Sequence, residues 1–552
     1  MTVPLFLLLL LSIASLILAR PEAAPPPPPP QDPPAQAAAA TPLFETADRC
    51  MACHNGVTSS SGEDVSIGFS WRASMMANAA RDPYWHAAVR REITDHPQAR
   101  ALIEDTCSTC HMPMSRYEAH FGGGSGEVFE NLPVLGAQTR SQVLAADGVS
   151  CSACHQIAAE GLGDSATFTG GFHVDETTPW GERAMLGPFE TDQGRAALKN
   201  SATGFVPRQA DHVQSSELCA SCHTLYTESL DAAGNQVGEL PEQVPYLEWL
   251  ASDFAAPEGG RSCQSCHMPV VSEPVAVTGV LGQPREDVNR HIFLGGNFFM
   301  LGMLNRYRGE LGVKAMPQEL DAAVLRTVLH LQTETARVEL SSDRSGGTLA
   351  AAVTVTNLGG HKLPTAYPSR RAWLHLTVRD AGGAVVFESG ALQRSGAIEG
   401  NDNDRDASLY EPHYDLITGS DQVQIYEPIL VDVEGNVTTG LLSGYRYAKD
   451  NRLLPRGFVK ENADPDVAVY GEALADADFQ GGADGIRYEL SVAGRTGPFT
   501  VDVELRFQPI GFRWARNLDG YGSFETDRFL RYYDEMSSGS DVTLATASAT
   551  VE

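Results

Sequence analysis

The stretch Cys263-Gln264-Ser265-Cys266-His267 decides how this chain is read. The same Cys-x-x-Cys-His pattern stands at Cys50/Cys53/His54, Cys107/Cys110/His111, Cys151/Cys154/His155 and Cys219/Cys222/His223. Five copies use all ten cysteines of the 552-residue chain. The spacing is that of covalent c-type haem attachment. Two thiols add to the porphyrin vinyl groups, and the adjacent histidine supplies the proximal nitrogen to iron. The expected cofactors are five covalent haem c groups, with His54, His111, His155, His223 and His267 as iron ligands.

Other readings of the cysteines fail. A zinc ribbon pairs Cys-x-x-Cys units and does not require a histidine after each. The chain holds 15 histidines, so finding one after every pair by chance is negligible. Disulfide frameworks belong to small secreted domains with thin cores, and this chain is long. A thioredoxin-like motif would stand once, not five times.

Outward from the motifs, the chain divides by composition. Residues 1–20 are almost wholly apolar from Val3 to Ala19 and resemble a signal peptide, with an uncleaved N-terminal anchor as the alternative. Residues 21–43 form a Pro/Ala-rich linker containing the run Pro25 to Pro30, an extended and semi-rigid spacer or a leader without a role. Residues 44–336 carry the motifs and form the expected pentahaem domain. Residues 337–552 lack the motif and turn to period-2 alternation. The expected fold is multidomain α plus β: a mainly helical, loop-rich multihaem domain followed by an antiparallel β-sandwich-like domain.

Helices are expected at Trp71 to Ala80, after Asp82-Pro83, from Asp287 to Arg308 and from Pro317 to about Thr335. Strands are expected at Leu349 to Asn357, Ala372 to Arg379, Phe499 to Phe507 and Asp541 to Glu552. The region from Gly390 to Tyr445 has no assignable pattern. The steps from Cys107 to Cys151 and from Cys219 to Cys263 are both 44 residues, and both His111 and His267 precede Met-Pro. This hints at a duplicated haem-pair unit.

The net charge is −30, from 40 basic and 70 acidic residues. Phosphate binding needs clustered Lys and Arg, so nucleic acid is excluded as a partner. Redox proteins with basic faces are the expected partners, although acidity also serves solubility alone. Export to the periplasm or beyond is expected, with a possible membrane tether through the N-terminus.

The sixth iron ligand sets each haem's behaviour. His212 precedes Cys219 by seven residues. His291 follows the last motif and opens the expected helix Ile292 to Leu304. His361 lies in Gly360-His361-Lys362-Leu363-Pro364-Thr365, a turn able to reach back from the β-rich part. These three are the candidate distal ligands, with surface or packing roles as the alternative. His120 and His173 in Gly-rich loops, His86 beside Trp85, and the Met75–Met76 pair are weaker candidates. Met112 and Met268 read as local packing. Lys362, Arg370 and Arg371 are candidate partners for haem propionates. Asp402, Asp404 and Asp406 alternate like the start of a calcium loop, but Ala407 stands where Gly is expected and no closing Glu follows. A solvated acidic loop is the favoured reading, with calcium as the alternative.

The strings Leu218-Cys219-Ala220-Ser221-Cys222-His223 and Cys263-Gln264-Ser265-Cys266-His267-Met268-Pro269 resemble those of bacterial multihaem c-type cytochromes, in particular the tetrahaem branch of the hydroxylamine pathway and its relatives. The Gly360–Thr365 segment is similar to a downstream β-domain of longer relatives, in which that histidine approaches a haem. The resemblance covers residues 45–375. It implies three haems with two histidine ligands and one without a distal ligand, and the fifth motif here departs from that pattern.

Electron transfer through closely packed haems is the leading expectation. The alternatives are an oxidoreductase acting on a small nitrogen or sulfur compound at one five-coordinate haem, and a subunit of an extracellular cytochrome filament.

Overall fold

A computed structural model describes residues 42–552. The apolar segment 1–20 and the linker up to residue 41 lie outside the described residues. Among the described residues, no helix is long and apolar enough to cross a membrane.

Each motif is wound on a single helical turn. The second occupies the end of helix Arg100–His111, and the fifth forms helix Cys263–His267. In the first, third and fourth, the histidine N–H donates to the carbonyl of the first cysteine: His54 to Cys50 at 3.0 Å, His155 to Cys151 at 2.9 Å and His223 to Cys219 at 2.9 Å. The i, i+3, i+4 spacing then puts both thiols and the imidazole on one face.

Helix Pro83–Asp95 begins as its sequence demands. Asp82 caps it, accepting from Tyr84 N–H at 2.8 Å and Trp85 N–H at 3.2 Å, with proline in the first turn. Helix Pro317–Glu334 matches expectation. Two other helices are shorter than expected. Residues 71–80 hold only the end of helix Ile67–Arg72, followed by turns and the short 3-10 turn Ala79–Arg81. The segment from 287 winds through turns and becomes helical only at Phe298–Arg306. His291 therefore sits in a turn rather than opening a helix.

The β-rich part contains two facing sheets. One orders the strands Leu416–Ile417, Ala483–Ser491, Thr348–Asn357 and Ala336–Ser345, antiparallel except for its first pair. The other orders Val385–Ser389, Arg371–Arg379, Phe499–Gln508 and Val542–Val551, all antiparallel, with Ile425–Tyr426 also paired to Arg371–Arg379. Strand alternation is plain: Leu349, Ala351, Val353 and Val355 are buried, as are Phe499, Val501, Val503, Leu505 and Phe507. The hairpin from Ser345 to Thr348 turns through Gly346-Gly347, where Gly346 has φ +62°. A two-residue hairpin turn of this hand needs that positive φ.

The apolar faces of helices Phe298–Arg306 and Pro317–Glu334 enter the same core as the sandwich strands, through Phe299, Met303, Leu304, Leu320 and Leu331. A late helix without a sequence forecast, Phe524–Met536, packs Phe529 on Tyr84 with ring centres 5.0 Å apart and pairs Glu525 with Arg90 at 2.9 Å. The motif-bearing segment and the β-rich segment are thus stitched together at several points.

Candidate functional site

All five motifs line one continuous cavity of about 1480 Å³. This exceeds the roughly 300–1,000 Å³ of an ordinary small-molecule site. All ten cysteines are free of disulfides, and every one of them faces this space. Ten unpaired thiols converging on one mostly apolar cavity fit covalently held porphyrins.

The histidines are prepared as metal ligands. His54 Nδ1 lies 2.7 Å from the Val277 carbonyl, His111 Nδ1 2.9 Å from Ala79, His155 Nδ1 2.6 Å from Leu186, and His267 Nδ1 2.5 Å from Leu294. A carbonyl accepts only a proton, so Nδ1 carries the hydrogen and Nε2 keeps its lone pair. Such a bond also fixes the ring and raises ligand basicity. Burial holds these imidazoles neutral: the pKa values of His111 and His267 are pushed down to about 4, and those of His54 and His155 are also lowered.

Two of these rings face a second histidine. The His155 and His291 ring centres are 6.3 Å apart with planes 19° from parallel. His267 and His361 stand at 6.2 Å and 17°. His291 Nδ1 is tied to the Asn289 carbonyl at 3.1 Å and His361 Nδ1 to that of Lys362 at 2.9 Å. Each thus keeps its Nε2 free. Two metal–imidazole bonds of about 2 Å, plus the ring nitrogen-to-centre distance on each side, span roughly 6 Å. His155 with His291, and His267 with His361, are thus the residues that would hold an iron between them.

The loop bearing His361 is clamped from below. Lys362 is fully buried and donates to Asp450 Oδ2 at 2.7 Å, while its backbone N–H donates to Glu248 Oε2 at 3.1 Å. Thr365 O–H donates to the same Glu248 oxygen at 2.5 Å. Arg452 grips Asp450 through two N–H donors at 2.8 and 2.7 Å and lies 2.8 Å from Glu248 Oε1. Burial alone would raise the Asp450 carboxyl, but Arg452 and Lys362 overcome it and hold that group well below the usual carboxylate range.

Several expectations are corrected. Lys362 is committed to Asp450, and Arg371 to Asp404 through contacts of 2.8 and 2.9 Å, so neither is free for a propionate. Arg370 does line the cavity. Asp404 serves Arg371, Asp402 bonds Arg405, and Asp406 accepts from Ser408 in a short helix and turn, so nothing here supports the calcium alternative.

His212 does not line the cavity. Its Nε2 lies 2.8 Å from the Ile157 carbonyl, and no motif histidine faces it. His86 is buried with both nitrogens engaged, by the Ala80 carbonyl and Arg528. His120 pairs with Asp105 at 2.6 Å near the surface, and His173 is exposed. Met75 and Met76 do border the cavity.

Two lining residues had no sequence forecast. His330 stands with its ring centre 6.4 Å from that of His267, 55° from parallel. It shares one helical face with Ala323, Thr327, Leu331 and Glu334, all lining the cavity. That face was readable from the 3.6-residue period. Lys199 lies on helix Gln193–Thr203, close enough to depress the His54 pKa, and its own pKa is lowered by burial. No local pattern marks it.

The order of the motifs in space differs from their order in sequence. The Cys50 and Cys151 thiols are near neighbours, as are Cys110 with Cys222 and Cys219 with Cys263. Cys154 lies beside Cys219 and Cys222. The first motif therefore meets the third, the third meets the fourth, and the fourth meets both the second and the fifth.

No family model matches the chain, and no curated protein matches it. Among solved structures, the chain is similar to a penta-heme cytochrome c552 from Thermochromatium tepidum, at 15% identity and a TM-score of 0.49, over 92% of this chain and 100% of that one. At that distance, the functional reading rests on this chain's own geometry.

Proposed function

We propose that the chain is an exported pentahaem c-type cytochrome that relays electrons among closely spaced haems. The observation that carries this reading is the convergence of five Cys-x-x-Cys-His turns on one cavity, two of them with a second histidine facing the first. Bound there, haem iron would supply reversible one-electron chemistry.

The chain's own residues do the rest. Ten thiols anchor the groups. The carbonyls of Val277, Ala79, Leu186 and Leu294 set four proximal imidazoles in one tautomer. The thiol neighbours set an order of first, third and fourth motif, with the second and fifth branching from the fourth. Close packing of the motifs keeps the spacing short, and the cavity lining is mostly apolar. A net charge of −30 suits docking of partners with basic faces.

Mass spectrometry and low-temperature EPR of the matured protein test this. The expected result is the polypeptide plus five haem masses, with low-spin ferric signals from at least the two histidine-paired irons. A mass without haem, or entirely high-spin iron, rejects it.

One observation favours a second reading, an oxidoreductase acting on a small nitrogen or sulfur compound. Among the described residues, no second histidine ring faces His54, His111 or His223. Trp85 stacks on His111 with ring centres 4.2 Å apart, Arg370 lies near His223, and Lys199 lies near His54. A high-spin ferric signal that converts to low spin on adding hydroxylamine or nitrite supports this reading. Spectra indifferent to both reject it.

A further inference from the structure

A second cluster of titratable groups lies apart from the motifs, at one end of the sandwich. Asp484, on the strand Ala483–Ser491, is 1% exposed. Its Oδ2 accepts from Tyr426 O–H at 2.7 Å and from Gln424 Nε2 at 3.3 Å. Its Oδ1 is buried and has no hydrogen-bond partner. His413 Nε2 is 3.8 Å from that oxygen, too far for a hydrogen bond. An oxygen of Asp476 completes a group whose ligand atoms all lie within 4.8 Å of one another. Asp476 also belongs to a second such group, with Asp415 and Asp478, which are exposed and form the mouth.

The tautomer of His413 is legible from its neighbours. Its Nδ1 receives N–H donors from Gln424 at 2.9 Å and Asn451 at 3.0 Å. Both amides are oriented by their oxygens: Gln424 accepts from Tyr414 N–H at 2.9 Å, and Asn451 from Glu427 N–H at 3.0 Å. Nδ1 is therefore the acceptor, and Nε2 carries the proton that it donates to Asp476 Oδ2 at 3.0 Å. A protonated nitrogen does not bind a metal, so His413 orients Asp476 and the donors that remain are all oxygen.

Charge points the same way. Four carboxyl groups share this corner. Arg487 pairs with Asp415 at 2.9 Å. The Lys460 ammonium is spent on the backbone carbonyls of Ala473 and Asp476, and Lys449 pairs with Glu427. An unpartnered buried carboxylate oxygen beside three more carboxylates costs free energy until a cation or protons arrive.

We propose that Asp476 and Asp484, with Asp415 and Asp478 at the mouth and His413 orienting Asp476, form a binding site for one calcium ion. Oxygen-only carboxylate donors select a hard cation, and an irregular donor set partly open to water suits calcium better than the strict octahedron of magnesium.

The test uses the full, haem-loaded protein after treatment with a chelator. Calorimetric titration with CaCl2 should give one site per chain, and added calcium should raise Tm by several degrees. Magnesium should bind more weakly. Asp484→Asn should abolish the calcium-dependent shift while leaving the Soret band unchanged. Asp478→Asn, at the exposed mouth and safe for folding, should weaken calcium binding roughly tenfold or more. Absence of calcium binding by the wild type, or binding unchanged in both variants, overturns the proposal. Tight zinc binding without a calcium response overturns it as well, because the donor set would then include His413.

Discussion

His155 and His291 face each other across the cavity with ring centres 6.3 Å apart and planes 19° from parallel, each with its Nδ1 tied to a backbone carbonyl. Neither ring can turn its Nε2 away without breaking such a bond. With a haem iron bound at His155, His291 would be placed to serve as its second histidine ligand. His291→Ala should convert one of five haems from low to high spin by EPR, with no loss of covalent haem by mass. An unchanged low-spin count would remove His291 from the ligand set.

His267 has two histidine neighbours at similar range, His361 at 6.2 Å and His330 at 6.4 Å. Orientation separates them. The His361 ring is 17° from the plane of His267 and its Nδ1 is anchored on the Lys362 carbonyl, whereas His330 is tilted by 55°. His361→Ala should therefore raise the high-spin content by one haem, and His330→Ala should leave the spin state unchanged. The reverse result would assign the ligand to the helix Pro317–Glu334 instead.

Much of this was legible in the sequence. The Cys-x-x-Cys-His turns are local, so spacing alone specifies the thiol and imidazole geometry. The alternation in Leu349 to Asn357 and Phe499 to Phe507 likewise reports a face buried by strand packing. Distal ligands are long-range contacts. His291 and His361, in loops adjoining a motif or a strand end, do come to face the motif histidines His155 and His267. His212 looked equally good by proximity in sequence, yet it turns to the Ile157 carbonyl instead. The helix expected from Trp71 to Ala80 stops at Arg72, where the Asn78 amide donates to the Arg72 and Ser74 carbonyls. Such side-chain to backbone bonds compete with a helix that the composition favours.

The clamp beneath His361 gives a stability prediction. Asp450 is fully buried between Lys362 and Arg452. Asp450→Asn should cost about 3–5 kcal/mol, because the buried Lys362 ammonium loses its carboxylate partner while Arg452 keeps only Glu248. Melting with and without the substitution measures this. The same variant should broaden the EPR signal of the fifth haem by loosening the His361 loop.

Acid should act on the same clamp. The Asp450 carboxyl titrates below its ordinary value in the folded state, so it binds its proton more weakly folded than unfolded. Its contribution is fully present above the unfolded carboxylate pKa of about 4 and is lost as pH falls further. Wild-type Tm should therefore drop on acidification below about pH 4, and the Asp450→Asn protein should show a shallower drop over that window. Parallel slopes for the two proteins would place the acid-sensitive contacts elsewhere.

Gly148 tests how tightly the wall around the first and third motifs is built. It has φ +61°, and a Cβ there would stand 2.7 Å from the Met76 carbonyl oxygen and 2.9 Å from that of Ala77. Both obstacles are backbone, so neither can swing aside. The next residue, Val149, donates to the Met76 carbonyl at 3.0 Å and accepts from the Trp71 indole at 2.9 Å, two residues before Cys151. Gly148→Ala adds the strain of a positive φ, about 1–3 kcal/mol, to that clash. The melting temperature should fall. Because the displaced segment leads into Cys151 and carries Met75 and Met76 along the cavity, haem incorporation at the third motif should fall too, read as a fraction of chains one haem mass short. A variant with full haem content and unaltered melting would show that this stretch yields easily, and that the approach of Gly148 to Met76 does not hold the wall in place.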